Sequence, residues 1–284
     1  MYAYKDEYDD GIQAAADLIV NADGLIITAG AGIGIDSGLP DFRGKNGFWK
    51  AYPALEKHGL NFTQIANPLA FKKYPELAWG FYGHRLQLYR DTIPHEGFQR
   101  LLQLAEKIPH GTRVFTSNVD GQFQKAGFTP AHVAQCHGSI HYLQCMDRCG
   151  QSTWSADAVM PIINHTTSRL ISSLPYCPSC GGLARPNILM FDDWHFEGDL
   201  YEYAESRLKT WIAGLSRPVV IEIGAGMAIP RVRHFGSARR CPLIRINPNE
   251  CKVASPSDVG IPMRAKDALV AITDLLIARD PIKN

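Results

Sequence analysis

Four short apolar runs constrain this chain more than any other feature of its sequence. They are Leu25 to Thr28, Arg113 to Thr116, Val219 to Ile223 and Leu243 to Ile246, and each closes on a turn of small or polar residues: GAGIG, SNVDG, GAG and NPN. Runs this short, bounded by turn signals, suit strands covered on both faces, as in a parallel sheet. Around them apolar residues recur at helical spacing: Ile12, Ala15, Leu18 and Ile19 early in the chain, and Leu269, Ile272, Leu275 and Leu276 near its end. Strands alternating with helices predict an α/β fold built on a doubly wound, mostly parallel Rossmann-like sheet. Ligands of such sheets bind beyond the carboxyl ends of the strands, where the glycine turns and the Asn and Asp residues of this chain gather.

Two segments break the alternation. Residues 45–95 are rich in aromatics and hold Pro53, Pro68 and Pro75, and residues 143–183 hold four of the seven cysteines. They predict a small domain, part helical insertion and part metal module, set into a Rossmann-like domain of residues 1–44, 96–142 and 184–284. With 29 Lys plus Arg against 28 Asp plus Glu, the net charge of +1 offers no field for nucleic acid or an anionic membrane surface. No stretch approaches the ~20 apolar residues of a membrane span. The opening residues, MYAYKDEYDDG, are acidic rather than basic and apolar, so a reducing compartment, the cytoplasm, is expected.

In that compartment close cysteine pairs mean metal more often than disulfide. Cys145 and Cys149 form one pair and Cys177 and Cys180 another, able to bring four thiolates to one tetrahedral zinc at ~2.3 Å. Four cysteines leave no open position for a catalytic water, so the zinc is expected to be structural. A disulfide pair is disfavoured by compartment and a nucleic-acid-binding zinc ribbon by charge. Cys136, Cys241 and Cys251 read as ordinary thiols. The turn Gly30-Ala31-Gly32-Ile33-Gly34 follows a strand and could bring backbone N–H groups to a pyrophosphate. The ordinary dinucleotide fingerprint would need a glycine at Ile35 and an acid near Lys50, so on glycine spacing alone a nucleotide site and a tight structural turn both remain open.

The turn runs on into Asp36-Ser37-Gly38-Leu39-Pro40-Asp41-Phe42-Arg43-Gly44, and the string GAGIGIDSGLPDFRG resembles the NAD-binding signature of the sirtuins, the NAD-dependent protein deacylases. The resemblance continues in order through TSNVDG at 116–121 with Ala126-Gly127 after it, CHGS at 136–139, the four cysteines, RPNILMF at 185–191, IEIGAGMAIP at 221–230 and Ile246-Asn247. It implies that NAD, a co-substrate, meets Gly30, Ala31, Gly32, Asp41, Phe42, Arg43, Ser117, Asn118, Asp120, Gly224, Ala225, Gly226 and Asn247. Asn118 would position the nicotinamide ribose and a water, and Asp120 would hold the nicotinamide carboxamide. Arg43 would meet phosphate, Phe42 would cover the nicotinamide pocket, and Asn247 would meet the adenosine ribose.

His137, in HGS, stands where the family places its general base, and imidazole suits proton abstraction near neutral pH. The implied partners are acylated lysine proteins or peptides, met by Ile188 and Phe191. The implied reaction opens with loss of nicotinamide and attack of the acyl oxygen on the ribose, and yields free lysine and O-acyl-ADP-ribose. An NAD glycohydrolase or ADP-ribosyltransferase on the same scaffold is the alternative.

Several positions depart from the family pattern: Ser117 for the usual Gln, Gln122-Phe123 for Leu-His, Ala225-Gly226 for Thr-Ser, and Asp192-Asp193 for Gly-Glu. The last would set negative charge beside the edge that pairs with a substrate peptide. Trp79 to Arg85, WGFYGHR, matches the WxFYxxR stretch of the subclass acting on acidic acyl groups such as succinyl. Tyr82 and Arg85, at i and i+3, share a helix face and can reach one carboxylate.

Overall fold

A computed structural model of the chain describes residues 2–40, 55 and 59–279, with residues 2–8 described through their backbone alone. Its strands, in chain order, are β1 (Gly24–Ala29), β2 (Thr112–Thr116), β3 (Val133–Gln135), β4 (Gly138–Cys145), β5 (Trp154–Ser155), β6 (Ile163–Asn164), β7 (Arg169–Leu170), β8 (Ala184–Ile188), β9 (Pro218–Ile223), β10 (Leu243–Ile246) and β11 (Val259–Ile261). The four expected strands are β1, β2, β9 and β10. They join β3 and β11 in a six-stranded parallel sheet of order β11-β10-β9-β1-β2-β3. The three-residue strands β3 and β11 sit at the sheet edges, too short to leave an apolar run in the sequence.

The sheet is wound on both faces, which is why its strands read as unbroken apolar runs rather than alternating ones. Leu25, Ile27 and Ala29 of β1 pack with Ile12, Ala15 and Ile19 of the helix Tyr2–Val20, with Phe98, Leu101 and Leu104 of the helix Glu96–Lys107, and with Leu269, Ile272 and Leu276 of the helix Ala265–Arg279. Ile26, the residue between, turns the other way to Val220, Leu243, Trp211, Ile212 and Phe235. Two charged residues buried in the sheet satisfy each other: Glu222 and Arg245 are register partners on β9 and β10, and Arg245 Nε donates to Glu222 Oε1 at 2.6 Å. Among the described residues no helix is long and apolar enough to cross a membrane.

A second hydrophobic cluster joins the helical insertion to the smaller sheet β5-β4-β8. Its helices start where the sequence supplies caps. Asn61 accepts from the Gln64 amide while the Gln64 side chain accepts from the Asn61 amide, and Asn67 caps a helix that begins with Pro68. The long helix Pro75–Asp91 places proline at its first position and is buried along most of its length. Gly80 and Gly83 turn one of its faces against β6 and β7: a Cβ on Gly80 would stand 1.9 Å from the Ser168 carbonyl oxygen, and one on Gly83 2.8 Å from Pro161. Tyr82, Arg85 and Tyr89, at i, i+3 and i+7, line a cavity on another face.

Candidate active site

The chain runs β1, β2 and β3 outward on one side of β1, then returns to β9, β10 and β11 on the other. The reversal falls between β1 and β9, and the crevice at their carboxyl ends is where a doubly wound sheet binds its ligand. A cavity of about 640 Å³ opens there, lined among others by Gly30, Ala31, Gly32, Ser117, Gly224, Ala225, Gly226 and Asn247.

The glycines of this crevice form the tight turn that their spacing left open. Gly30 N–H donates to Ile223 O and Gly32 N–H to Gly224 O, both at 3.0 Å, so these amides are spent within the protein. A Cβ on Gly30 would sit 2.6 Å from Gly224 O and one on Gly32 2.6 Å from Gly224 Cα, while Gly224 itself holds φ +58°. Both turns are glycine-rich because their backbones touch. Asn247 is likewise occupied: its Nδ2 donates to Ala225 O, and its Oδ1 accepts from the Asn249 and Glu250 amides. Arg233 braces the same loop from beneath, donating through Nε and Nη2 to Ala225 O.

A smaller cavity of about 230 Å³ continues from the first, with Ala31, Ser117 and Ile229 lining both. Its walls bring together His137, Asn118, Asp120, Tyr82, Arg85, Ile188 and Phe191, drawn from the β2–α turn, the start of β4, the helix Pro75–Asp91 and the end of β8. Each is held locally. Asn118 Nδ2 donates to Gly30 O at 3.0 Å, its own amide donates to Thr116 Oγ1, and Gln135 Nε2 reaches its carbonyl. His137 precedes β4 where that strand meets β8 so closely that a Cβ on Gly138 would lie 2.2 Å from Asn187 O, and its carbonyl accepts from Leu189 N. The glycine after the histidine is therefore demanded by the strand crossing.

Asp120 is buried, and burial pushes its pKa up to about 6 despite a hydrogen bond from the Gln122 amide to Oδ1. His141 Nε2 donates to the Asp120 carbonyl at 2.9 Å, and burial lowers the His141 pKa, which keeps that ring neutral. Its ring occupies the space beside Gly121, where φ is +72° and a Cβ would come within 2.7 Å. Gln122, at the position of the unusual Gln122-Phe123 pair, is buried and donates to Tyr89 O at 3.3 Å, tying the Asp120 turn to the helix Pro75–Asp91. Asp41, Phe42 and Arg43 lie outside the described residues.

Among the described residues the four cysteines converge, their sulfurs all within 4.8 Å of one another. Cys145 and Cys180 Sγ lie 3.6 Å apart, as do Cys149 and Cys177. Thiolates at ~2.3 Å around a tetrahedral zinc stand about 3.8 Å apart, so the cluster fits the metal. Amides of Asp147 and Gly182 point at Cys145 and Cys180 Sγ, as they would toward thiolates. Beside Cys149 the chain turns tightly, Arg148 and Gly150 taking φ of +52° and +86°. His137 precedes β4 and Cys145 ends it, so an extended strand separates them by roughly 25 Å. The cluster is a staple remote from the cavity.

The sequence of the chain matches the Sir2 family over residues 30–209. An NAD-dependent protein deacylase of Aquifex aeolicus is 30% identical over 255 residues, covering 89% of this chain and 95% of that protein. The chain belongs to the Sir2 family. NAD-dependent protein deacylase 2 of Pyrobaculum aerophilum is 29% identical over 266 residues, 91% of this Sir2 chain and 93% of that one. The fold agrees: a crystal structure of a Sir2 homologue with NAD superposes with a TM-score of 0.69 over 95% of each chain at 23% identity. An ADP-ribose complex of a Sir2 homologue variant gives 0.71 over 95% of this chain and 98% of that one at 24% identity.

Within this Sir2 chain the two carboxylates of the Asp192-Asp193 pair part ways. Asp193 turns inward: its side chain is fully covered, it pairs with Arg185 at 2.8 Å, and it accepts from the Met190 and His195 amides. Asp192 takes φ +53°, the left-handed conformation that explains why a glycine is usual there, and contacts Asn67 Nδ2 at 3.3 Å. Residues that the motif reading did not single out are Tyr89, Gln135, Arg185 and Arg233. Only Tyr89 left a readable signal, as the i+7 continuation of the Tyr82 and Arg85 face.

Proposed function

We propose that this chain is an NAD-dependent protein-lysine deacylase acting on acylated lysines of proteins or peptides. The observation that carries the reading is the pair of confluent cavities: the larger suits a dinucleotide's adenosine end, and the smaller gathers His137, Asn118 and Asp120 against the 188–191 segment. NAD, when bound, supplies a ribose carbon whose bond to nicotinamide can break and which can then accept the acyl oxygen.

The chain's own groups act around that event. Asp120, largely ionised at neutral pH and bonded at one oxygen to Gln122 N, offers the other oxygen to the nicotinamide amide. Asn118, fixed by Gly30 O, presents its side-chain oxygen to the ribose or to a water beside it. The His137 ring, whose backbone is pinned by Leu189 N, takes a proton from a ribose hydroxyl and leaves an oxygen able to attack the acyl carbon. Ile188 and Phe191 wall the lysine's path with Val119 and Phe62, shedding water from its methylenes.

Cys145, Cys149, Cys177 and Cys180 hold a structural zinc. The described part of the helical insertion and the four-cysteine module make up the small domain set beside the Rossmann-like remainder. Arg85 and Tyr82 receive the carboxylate of an acidic acyl chain: both line the smaller cavity, and Tyr82 is buried there, 1% exposed.

The test is nicotinamide release with NAD alone and with acetyl-, succinyl- and unmodified-lysine peptides. Release should require an acylated peptide and yield O-acyl-ADP-ribose. Release with NAD alone at the same rate would replace this reading by a glycohydrolase.

A further inference from the structure

We infer that Gln135 and Gln124 form an amide relay that positions Asn118, and that the chain keeps this relay at a cost in stability. The inference rests on the reading of Asn118 as the group that presents its side-chain oxygen to the nicotinamide ribose or to a water beside it.

The sheet ends too early to hold Asn118. β2 and β3 stay in register as far as Thr116 and Gln135, and one more bond follows, from the Cys136 amide to Thr116 O at 2.8 Å. Residues 117–121 belong to no strand, and the carbonyls of this turn are met one at a time: Val119 O by the Ile140 amide at 3.0 Å, Asp120 O by His141 Nε2 at 2.9 Å. Asn118 is buried, and its carbonyl takes its donor from a side chain, Gln135 Nε2 at 3.3 Å. Gln135 Oε1 accepts in turn from Gln124 Nε2 at 2.9 Å, so the short helix Gln122–Ala126 supplies the glutamine that holds the first one.

The direction of the relay is fixed by its inner end. A carbonyl oxygen only accepts, so Gln135 must turn its amino group to Asn118 and its oxygen to Gln124. Gln124 must then turn its amino group to Gln135, and its own oxygen is left over: Gln124 Oε1 is buried and has no hydrogen-bond partner among the described residues. Turning both amides round would set Gln135 Oε1 against Asn118 O, acceptor against acceptor. A buried acceptor without a donor costs stability that an apolar side chain of the same shape would not. What the relay secures lies at its other end. With its carbonyl tied by Gln135 and its Nδ2 by Gly30 O, Asn118 is held on both sides and its Oδ1 is aimed before a ligand arrives.

The test uses Gln135→Met and Gln124→Met, which keep an unbranched side chain of similar length. Both positions border a cavity of about 560 Å³, so neither replacement is forced against a packed core. In the zinc-loaded enzyme with NAD and an acylated peptide, Gln135→Met should lower kcat for nicotinamide release about 3- to 10-fold, the weight of one hydrogen bond between neutral groups, with both KM values within about twofold of the parent's. Gln124→Met should lower kcat about 2- to 3-fold yet melt no lower than the parent, because it removes the orphaned acceptor. In an Asn118→Ala background Gln135→Met should change the residual rate less than about twofold, since Gln135 acts through Asn118. A parental kcat in Gln135→Met, or the same loss with Asn118 already gone, overturns the positioning role. A Gln124→Met protein melting several degrees below the parent overturns the cost in stability. If Asn118→Ala alone keeps the parent rate, the reading of Asn118 falls, and this inference with it.

Discussion

The bend that carries Ile188 and Phe191 hangs on a single carboxylate. Asp193 meets Arg185 Nη2 through both oxygens at 2.8 and 2.9 Å and accepts from the Met190 amide at 3.3 Å and the His195 amide at 3.1 Å. The two side chains are 2% and 0% exposed, so water cannot take over for either partner. Asp193→Ala would leave the Arg185 charge buried without its counter-ion, a loss that costs about 3–5 kcal/mol. Unfolding a chain of 284 residues carries an entropy of about 0.6 kcal/mol per kelvin, which converts this into a fall in Tm of roughly 5–8 °C. Asp193→Asn, keeping an acceptor but not the charge, should fall between parent and Ala. Joint replacement, Arg185→Met with Asp193→Leu, should recover much of the loss, since no charge is then stranded. Calorimetry on the zinc-loaded protein reads the stability, and KM for an acylated peptide reads the bend, which should loosen in the Ala variant. An Asp193→Ala protein melting within about 1 °C of the parent would show that Arg185 finds water or another partner and would refute the reasoning.

Three further outcomes follow from the same geometry. His137→Ala should lower acyl transfer by roughly 10²–10⁴ while NAD affinity, measured by calorimetry, stays near the parent's; deacylation at the parent rate would remove His137 from the mechanism. Elemental analysis should find one zinc per chain, and Cys177→Ser or chelation should destabilise the protein and lower activity indirectly, because the metal's binding free energy is folding free energy; a zinc-free, fully active enzyme would contradict the staple. Asp120, pushed up to about 6 by burial, binds its proton more tightly folded than unfolded, so its contribution favours folding below about pH 4 and is lost as pH rises through about 6. Asp120→Asn, which keeps the acceptor for Gln122 N, should therefore raise Tm by several degrees near pH 8, where the ionised group costs about 3 kcal/mol, and leave it unchanged near pH 4.

The strands β1, β2, β9 and β10, the alternation with helices and the four-cysteine cluster were all legible from the residues alone, because each depends on local chemistry. Apolar runs must be covered, glycine turns must end them, and soft ligands at short spacing converge on one ion. The members of the cavity were legible as ordered motifs, yet their supports were not. Gln135 reaching the Asn118 carbonyl and Arg233 beneath Ala225 are separated from what they hold by enough chain that no periodicity links them.

Two readings turned on tertiary contact outright. GAGIG reads in sequence as either a phosphate cradle or a tight structural turn, and only the fold brings the backbones of Gly30, Gly32 and Gly224 to distances that exclude a Cβ and engages two of the amides there. Asp192-Asp193 reads in sequence only as negative charge in place of Gly-Glu, and the tertiary structure decides that one carboxylate turns in to Arg185 while the other stays exposed. A sequence specifies which groups a chain owns and how they repeat. Which of them face water, which face each other and which face a ligand is settled by packing, since burial alone decides whether a charge must find a partner or a glycine must remain bare.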